Sequence, residues 1–147
     1  MLVKFKHFNA LTPHELYALL ALRSEVFVVE QACIYQDLDG LDGHGFHALM
    51  SEDNGVLIGT ARILPPDIVY STPAIGRFVI AHAARGHGYA HELLRACIRE
   101  VEQLYSTTSI TISAQLYLEN FYGRHNFVRT GIEYLEDGIP HIKMKRS

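Results

Sequence analysis

Arg85-Gly86-His87-Gly88-Tyr89-Ala90 is the segment of this chain best equipped to hold an anion. An apolar run of β character, Ile75–Ile80, leads into it. After it Ala90, Leu93, Leu94, Cys97, Ile98, Val101 and Leu104 recur at helical steps. The order is therefore strand, Gly-rich turn, helix. The unpaired N–H groups and positive dipole end of such a helix face whatever occupies the turn. Gly86 and Gly88 let the backbone approach a ligand closely, and Arg85 adds a planar charged fork suited to phosphate. The predicted ligand is a pyrophosphate; a Gly-containing turn that binds nothing is the alternative. The dinucleotide pattern G-x-G-x-x-G fails at His91, and no Gly-Lys pair exists for a nucleoside triphosphate loop.

Other residue clusters are less specific. Arg23 shares a helical stripe with Leu16, Leu19, Leu20 and Phe27, where an arginine snorkels, pairs with a buried acid or lines a pocket. Asp37–Gly43 resembles a calcium loop, but its third acid and its glycine fall one place late and Ala48 stands where the bidentate Glu belongs. A mobile loop over a site is the expectation there. Of the nine histidines, His87 and His91 stand four apart and His44 and His47 three apart. No HExxH motif, cysteine pair or third carboxylate accompanies them, so no metal is expected.

The elements that must position these residues read as follows. Leu2–Phe8 is a strand; Thr12-Pro13-His14-Glu15 starts a helix with a capping box. Phe46–Met50 and Val56–Leu64 form a hairpin around Asn54-Gly55. Ile75–Ile80 is the next strand, with Arg77 on the face of Ile75 and Val79. Ser109–Ala114 is a strand and Leu116–His125 a short helix, with Asn126 suited to a left-handed position after it. Strands near Phe127–Thr130 and Ile139–Lys145 flank the turn Glu136-Asp137-Gly138. At 147 residues, with no repeat or linker, the chain fits one domain. Its net charge of −3 gives nucleic-acid binding no electrostatic support. Cys33 and Cys97 are too few for a disulfide framework. No apolar run spans a membrane and no signal-peptide core opens the chain, so no membrane partner and a cytoplasmic location are expected.

Arg85-x-x-Gly88-x-Ala90 resembles the R/Q-x-x-G-x-G/A signature of the Gcn5-related N-acetyltransferases (GNAT). Phe121-Tyr122-x-x-x-Asn126-Phe127 resembles that family's F-Y-x-x-x-G-F segment, with Asn126 in place of Gly. The element order fits the GNAT fold over essentially the whole chain, residues 1–147. Arg23–Gln31, Gln115–Tyr122 and Glu136–His141 further resemble the ElaA-type branch. The resemblance implies an α/β (α+β) fold, a mixed, mostly antiparallel sheet flanked by helices. Acetyl-CoA would lie at the splay between the fourth and fifth strands.

The same resemblance implies site roles. Arg85, Gly86, His87, Gly88, Tyr89 and Ala90 would hold the pyrophosphate of acetyl-CoA. The backbone of Phe78, Val79 and Ile80 would pair with pantetheine and supply the oxyanion donor. Gln115 stands where many relatives have Asn. Tyr122 would protonate the leaving thiolate after direct attack by a neutral amine, from a small molecule or a peptide. The strand before the loop carries Arg77 where many relatives have a Glu base, leaving Glu25, Glu30, Asp39, His47 or a water chain for that role. Arg23, Phe27, Arg62 and Arg77 are the candidates for the acceptor side; arginines that converge there imply a substrate carboxylate, and arginines that do not are ordinary ion-pair partners. A non-catalytic acyl-CoA-sensing or partner-binding module is the competing reading. A homodimer through the C-terminal strands is the expected assembly.

Overall fold

The hydroxyl of Thr12 accepts from the N–H of Glu15 while the Glu15 carboxylate accepts from the N–H of Thr12, so the first helix, α1 (Pro13–Arg23), starts on a complete capping box. The chain then widens into π-helical turns over Ser24–Glu30. The computed structural model describes residues 1–147. Its strands are β1 (Leu2–His7), β2 (Phe46–Ser51), β3 (Leu57–Leu64), β4 (Ala74–Ile80), β5 (Ile110–Gln115), β6 (Val128–Arg129), β7 (Tyr134–Glu136) and β8 (Ile139–Arg146). The remaining helices are α2 (Tyr89–Tyr105) and α3 (Glu119–Gly123).

These strands form one eight-stranded sheet in the order β1-β2-β3-β4-β5-β8-β6, with β7 also on β8. Every pairing is antiparallel except β4 with β5, which run parallel and share the single residue pair Ala74–Thr111. Beyond that pair the two strands part. Leu93, Leu94, Cys97, Ile98 and Val101 of α2 are buried on the sheet with Met50, Ile63, Ile112 and Met144. This is the apolar stripe that the helical periodicity predicts.

β4 contains a bulge. Thr60 pairs with Val79 and Arg62 with Gly76, so Ala61 alone faces Arg77 and Phe78. Arg77 takes a left-handed φ of 48°. The expectation that Arg77 would share a face with Ile75 and Val79 therefore fails. Ile75 and Val79 are buried, whereas the bulge turns Arg77 out of the alternation. β7 was not expected either. It exists because Asp137 and Gly138 both take positive φ, 53° and 77°, the pattern of a tight hairpin turn.

Asn126 follows α3 at a φ of 69°, as its position after the helix predicts. Asn126→Gly should leave stability within a few tenths of a kcal/mol. Asn126→Val should cost about 1–2 kcal/mol, because a β-branched residue is strained in that conformation. Urea unfolding of both variants checks this; equal stabilities would contradict it.

Candidate active site

Where β4 and β5 part, a cleft of about 350 Å³ opens. β4 supplies one wall from Ile75 to Ile80. Ser113 and Gln115 of β5, Tyr117, Leu118, Phe121 and Tyr122 around α3, and Ile139 and His141 of β8 supply the other. The π-helical turns roof it with Val26, Phe27 and Glu30, followed by Gln31. Within these turns Val26 is buried and Phe27 half-buried, and both face the cleft. Gln31 and Gln115 exchange side-chain amide contacts across the opening at 3.2 and 3.4 Å.

At one end the cleft reaches the Gly-rich turn. Arg85 and Ala90 line it, while Gly86, His87 and Gly88 are exposed just outside, with Tyr89 half-buried. Gly86 and Gly88 take φ of 85° and 78°, and no atom lies within 4 Å of where a Cβ would sit at either. Gly88 is the residue that opens α2, and no side chain caps that helix start. The Arg85 side chain is turned inward: Nε donates to the Ile80 carbonyl at 3.0 Å, and its fork pairs with Glu30 at 2.6 and 3.0 Å.

Tyr122 is buried, 7% exposed, with its ring edge-on to Phe78 and Phe127. Its side chain lines the cleft. Burial pushes the phenol well above its ordinary pKa, so it stays protonated at neutral pH and is available as a proton donor.

The arginines do not converge on the cleft. Arg23, 1% exposed, donates to Asp37 at 2.9 Å and to both oxygens of Asp42 at 2.8 and 3.3 Å. Arg62 grips Asp39 through two bonds of 2.9 Å and reaches Asp42 at 3.0 Å. Arg77 lines the cleft, but its guanidinium lies 2.8 Å from the Asp37 carboxylate and 3.3 Å from Asp39. Arg23 and Arg62 are thus ion-pair partners away from the cleft, which corrects their expected place on the acceptor side. The reason is charge neutralisation: buried guanidinium groups take the acids of the Asp37–Asp42 loop as partners. That loop is correspondingly tied down, against the expectation of a mobile cover. Burial would raise the Asp39 carboxyl, but bonds from Arg62 and the Leu41 N–H bring it down to about 2.

The proposed bases fare unequally. His47 is 1% exposed, bonded through Nε2 to the Asp42 carbonyl at 3.0 Å, and lies outside the cleft. Burial pushes its pKa down. It is too enclosed to meet an acceptor. Glu30 does line the cleft, but hydrogen bonds from Arg85 hold its carboxyl below the usual range. Glu25 and Asp39 do not line it. The sequence marks Glu136–Gly138 as a turn and Glu136–His141 as a point of resemblance, and neither carries a site role there. Glu136, Asp137 and His141 prove to line the cleft together with Tyr35 and Ser113. The Asp-Gly turn signal was visible; the hairpin strand that carries Glu136 into the cleft was not. No group of three or more His, Cys, Asp or Glu side chains comes together as a metal site, and no helix is long and apolar enough to cross a membrane.

A parallel strand pair open at its end, beside a Gly-led helix start, is the arrangement that the resemblance to the Gcn5-related acetyltransferases implies. The chain belongs to the acetyltransferase (GNAT) domain family, which it matches over residues 11–147. Among solved structures it is similar to an acyl-CoA N-acyltransferase from Pseudomonas aeruginosa, 46% identical over 99% of this chain and 98% of that one, with a TM-score of 0.93. The protein ElaA of Escherichia coli is 39% identical over 142 residues, 95% of this chain and 92% of its own. The crystal structure of ElaA superposes with a TM-score of 0.89. A UPF0039 protein of Synechocystis is 37% identical over 95% of this chain and 91% of its own length. The ElaA-type resemblance read from the sequence is thereby established.

Arg23→Leu should destabilise the protein by about 3–5 kcal/mol, because it leaves buried carboxylates without their guanidinium. Adding Asp42→Asn should recover part of that loss. Denaturant unfolding decides it, and an Arg23→Leu protein as stable as the native one would contradict the network's role.

Proposed function

We propose that this chain transfers the acetyl group of acetyl-CoA to an amine acceptor, on a small molecule or a peptide, within one acetyltransferase domain spanning residues 1–147. The observation that carries the reading is the parting of β4 from β5 after a single residue pair, directly beside the Gly88-led start of α2. An edge opened in this way has backbone donors and acceptors free to bond an extended ligand as an added strand. The pantetheine arm, with its two amides, is such a ligand. Its pyrophosphate then meets the N–H groups of Gly86–Ala90.

In this reading Glu30 holds the Arg85 guanidinium beside the turn, ready to exchange that carboxylate for the phosphates. The neutral amine attacks the thioester carbonyl without a covalent enzyme intermediate. A backbone N–H in Phe78–Ile80, beside the bulge, holds the oxyanion. Tyr122 protonates the departing thiolate. Phe27 and Arg77 border the acceptor end, and Gln115, tied to Gln31, borders the pantetheine. Because Asp37 and Asp39 hold Arg77, the acceptor needs no carboxylate. No metal takes part. The exposed apolar side chains Val128, Ile132 and Leu135 beside the C-terminal strands support a homodimer there, and the reading places the enzyme in the cytoplasm.

Acetyl-CoA at about a hundred times its Kd should add about 2.7 kcal/mol of stability, read as a raised Tm. Gly88→Asp should remove the shift, since the side chain is strained at positive φ and places a carboxylate where the pyrophosphate sits. Tyr122→Phe should keep the shift but lose about 100-fold or more in turnover. A Tyr122→Phe protein of native turnover would remove the phenol from the mechanism, and a native protein without any shift would sink the acetyl-CoA reading.

A further inference from the structure

The acceptor end of the cleft contains a histidine whose hydrogen bonding fixes its tautomer. His141 is 6% exposed, and its Nδ1 lies 2.7 Å from the carbonyl oxygen of Ile139. A carbonyl only accepts, so Nδ1 carries a proton. That leaves Nε2 as the basic nitrogen of the neutral ring. Nε2 stands 3.3 Å from Oε2 of Glu136, across the hairpin. Once Nε2 has taken a proton, that carboxylate is placed to accept a hydrogen bond from it. The ring lies beside Tyr134, centroids 6.0 Å apart and planes 27° off parallel, and the Tyr134 hydroxyl is bonded to Ser113. His141 is therefore a rigid group, whereas the Glu136 side chain is half exposed and able to swing.

We infer that His141 is the general base of the acetyl transfer, taking a proton at Nε2 from a cationic acceptor that Glu136 holds. The inference rests on the acetyltransferase reading above. The acceptor enters as an ammonium, R–NH₃⁺, the dominant form of an alkylamine at neutral pH. The Glu136 carboxylate, with Asp137 beside it in the turn, attracts that charge. One N–H bond breaks, its proton goes to Nε2, and R–NH₂ remains with a free electron pair. That pair forms the C–N bond, the C–S bond of the tetrahedral adduct then breaks, and the thiolate takes the Tyr122 proton. The adduct nitrogen's surplus proton returns to Tyr122 through solvent, and the imidazolium releases its own to bulk water. The products are an N-acetylamine, CoA thiol and one released proton.

The charged and titratable groups around this end are Glu136, Asp137, Tyr134, Tyr35, Arg77, Cys33 against the Asp137 carbonyl, and Tyr70 with Lys143 over its ring. Of the two cations, Arg77 is already paired with Asp37 and Asp39, and Lys143 lies 5.5 Å from the Tyr70 ring centre. The unpaired charge at this end is acidic, which selects basic amines over amino-acid carboxylates as acceptors.

The test uses acceptors that differ in whether they carry a proton to be removed. n-Butylamine is an ammonium at pH 7; methoxyamine is already neutral. His141→Asn keeps an amide N–H for the Ile139 carbonyl and lacks the basic nitrogen. It should lose about 100-fold in kcat/KM toward n-butylamine and change little toward methoxyamine. The butylamine loss should shrink as pH rises and the free amine accumulates. Its acetyl-CoA thermal shift should equal the native one. Glu136→Gln should raise KM for n-butylamine and leave methoxyamine alone. Equal losses toward both amines would make His141 a structural residue, and no loss toward either would remove it from the mechanism. Both results leave acetyl transfer intact. A native protein that transfers to neither amine and shows no acetyl-CoA thermal shift overturns the acetyltransferase reading itself, and the His141 role with it.

Discussion

β4 and β5 run side by side and yet touch through one residue pair, Ala74–Thr111. Inside an eight-stranded sheet this is an expensive arrangement, because each strand forgoes ladder bonds along an edge that is otherwise buried. The sheet remains whole because each of the two strands has a full antiparallel neighbour on its other side, β3 for β4 and β8 for β5. α2 packs on the β4 side of the gap, its buried stripe lying mainly against β3 and β4. Everything functional is then placed by that gap. The Gly-rich turn must follow β4, the aromatic helix α3 must follow β5, and Tyr122 arrives between them. A ligand with amides of its own is what the open edge accommodates.

A second constraint is charge. Arg23, Arg62 and Arg77 are neutralised by Asp37, Asp39 and Asp42, so the irregular loop between α1 and β2 is fastened to the back of the cleft. The acidic loop and the arginines explain one another: neither set is tolerable at this burial without its partner. With those cations satisfied, the ionic character of the acceptor end is set by Glu136, Asp137 and His141. The bulge at Arg77 belongs to this second constraint, since it takes Arg77 out of the strand alternation and its guanidinium meets Asp37.

Much of this was legible in the chain. The Gly-rich turn, the α2 stripe, the Thr12 capping box and the left-handed Asn126 are local signals, and each appears where its residues place it. The family followed from Arg85–Ala90 and Phe121–Phe127 because those short motifs were set in the right order of elements. What periodicity could not show is non-local. An arginine in an apolar stripe reads the same whether it meets a buried aspartate or a substrate, and only the fold brings Asp37 and Asp42 to Arg23. The π turns over Ser24–Glu30 and the bulge at Arg77 shift side chains by one step, which a fixed repeat length misses. His141 was hidden for the same reason: its tautomer depends on a carbonyl two residues away and its proton partner on a hairpin strand only three residues long.

The most direct measurement is amide hydrogen exchange across β4 and the turn, with and without a non-reactive CoA analogue such as desulfo-CoA. If the open edge receives the pantetheine arm, amides in Phe78–Ile80 and in Gly86–Ala90 slow together on binding, while those of β1 and β2 stay unchanged. Protection confined to another surface, or binding that leaves the β4 edge exchanging at its free rate, would contradict the account.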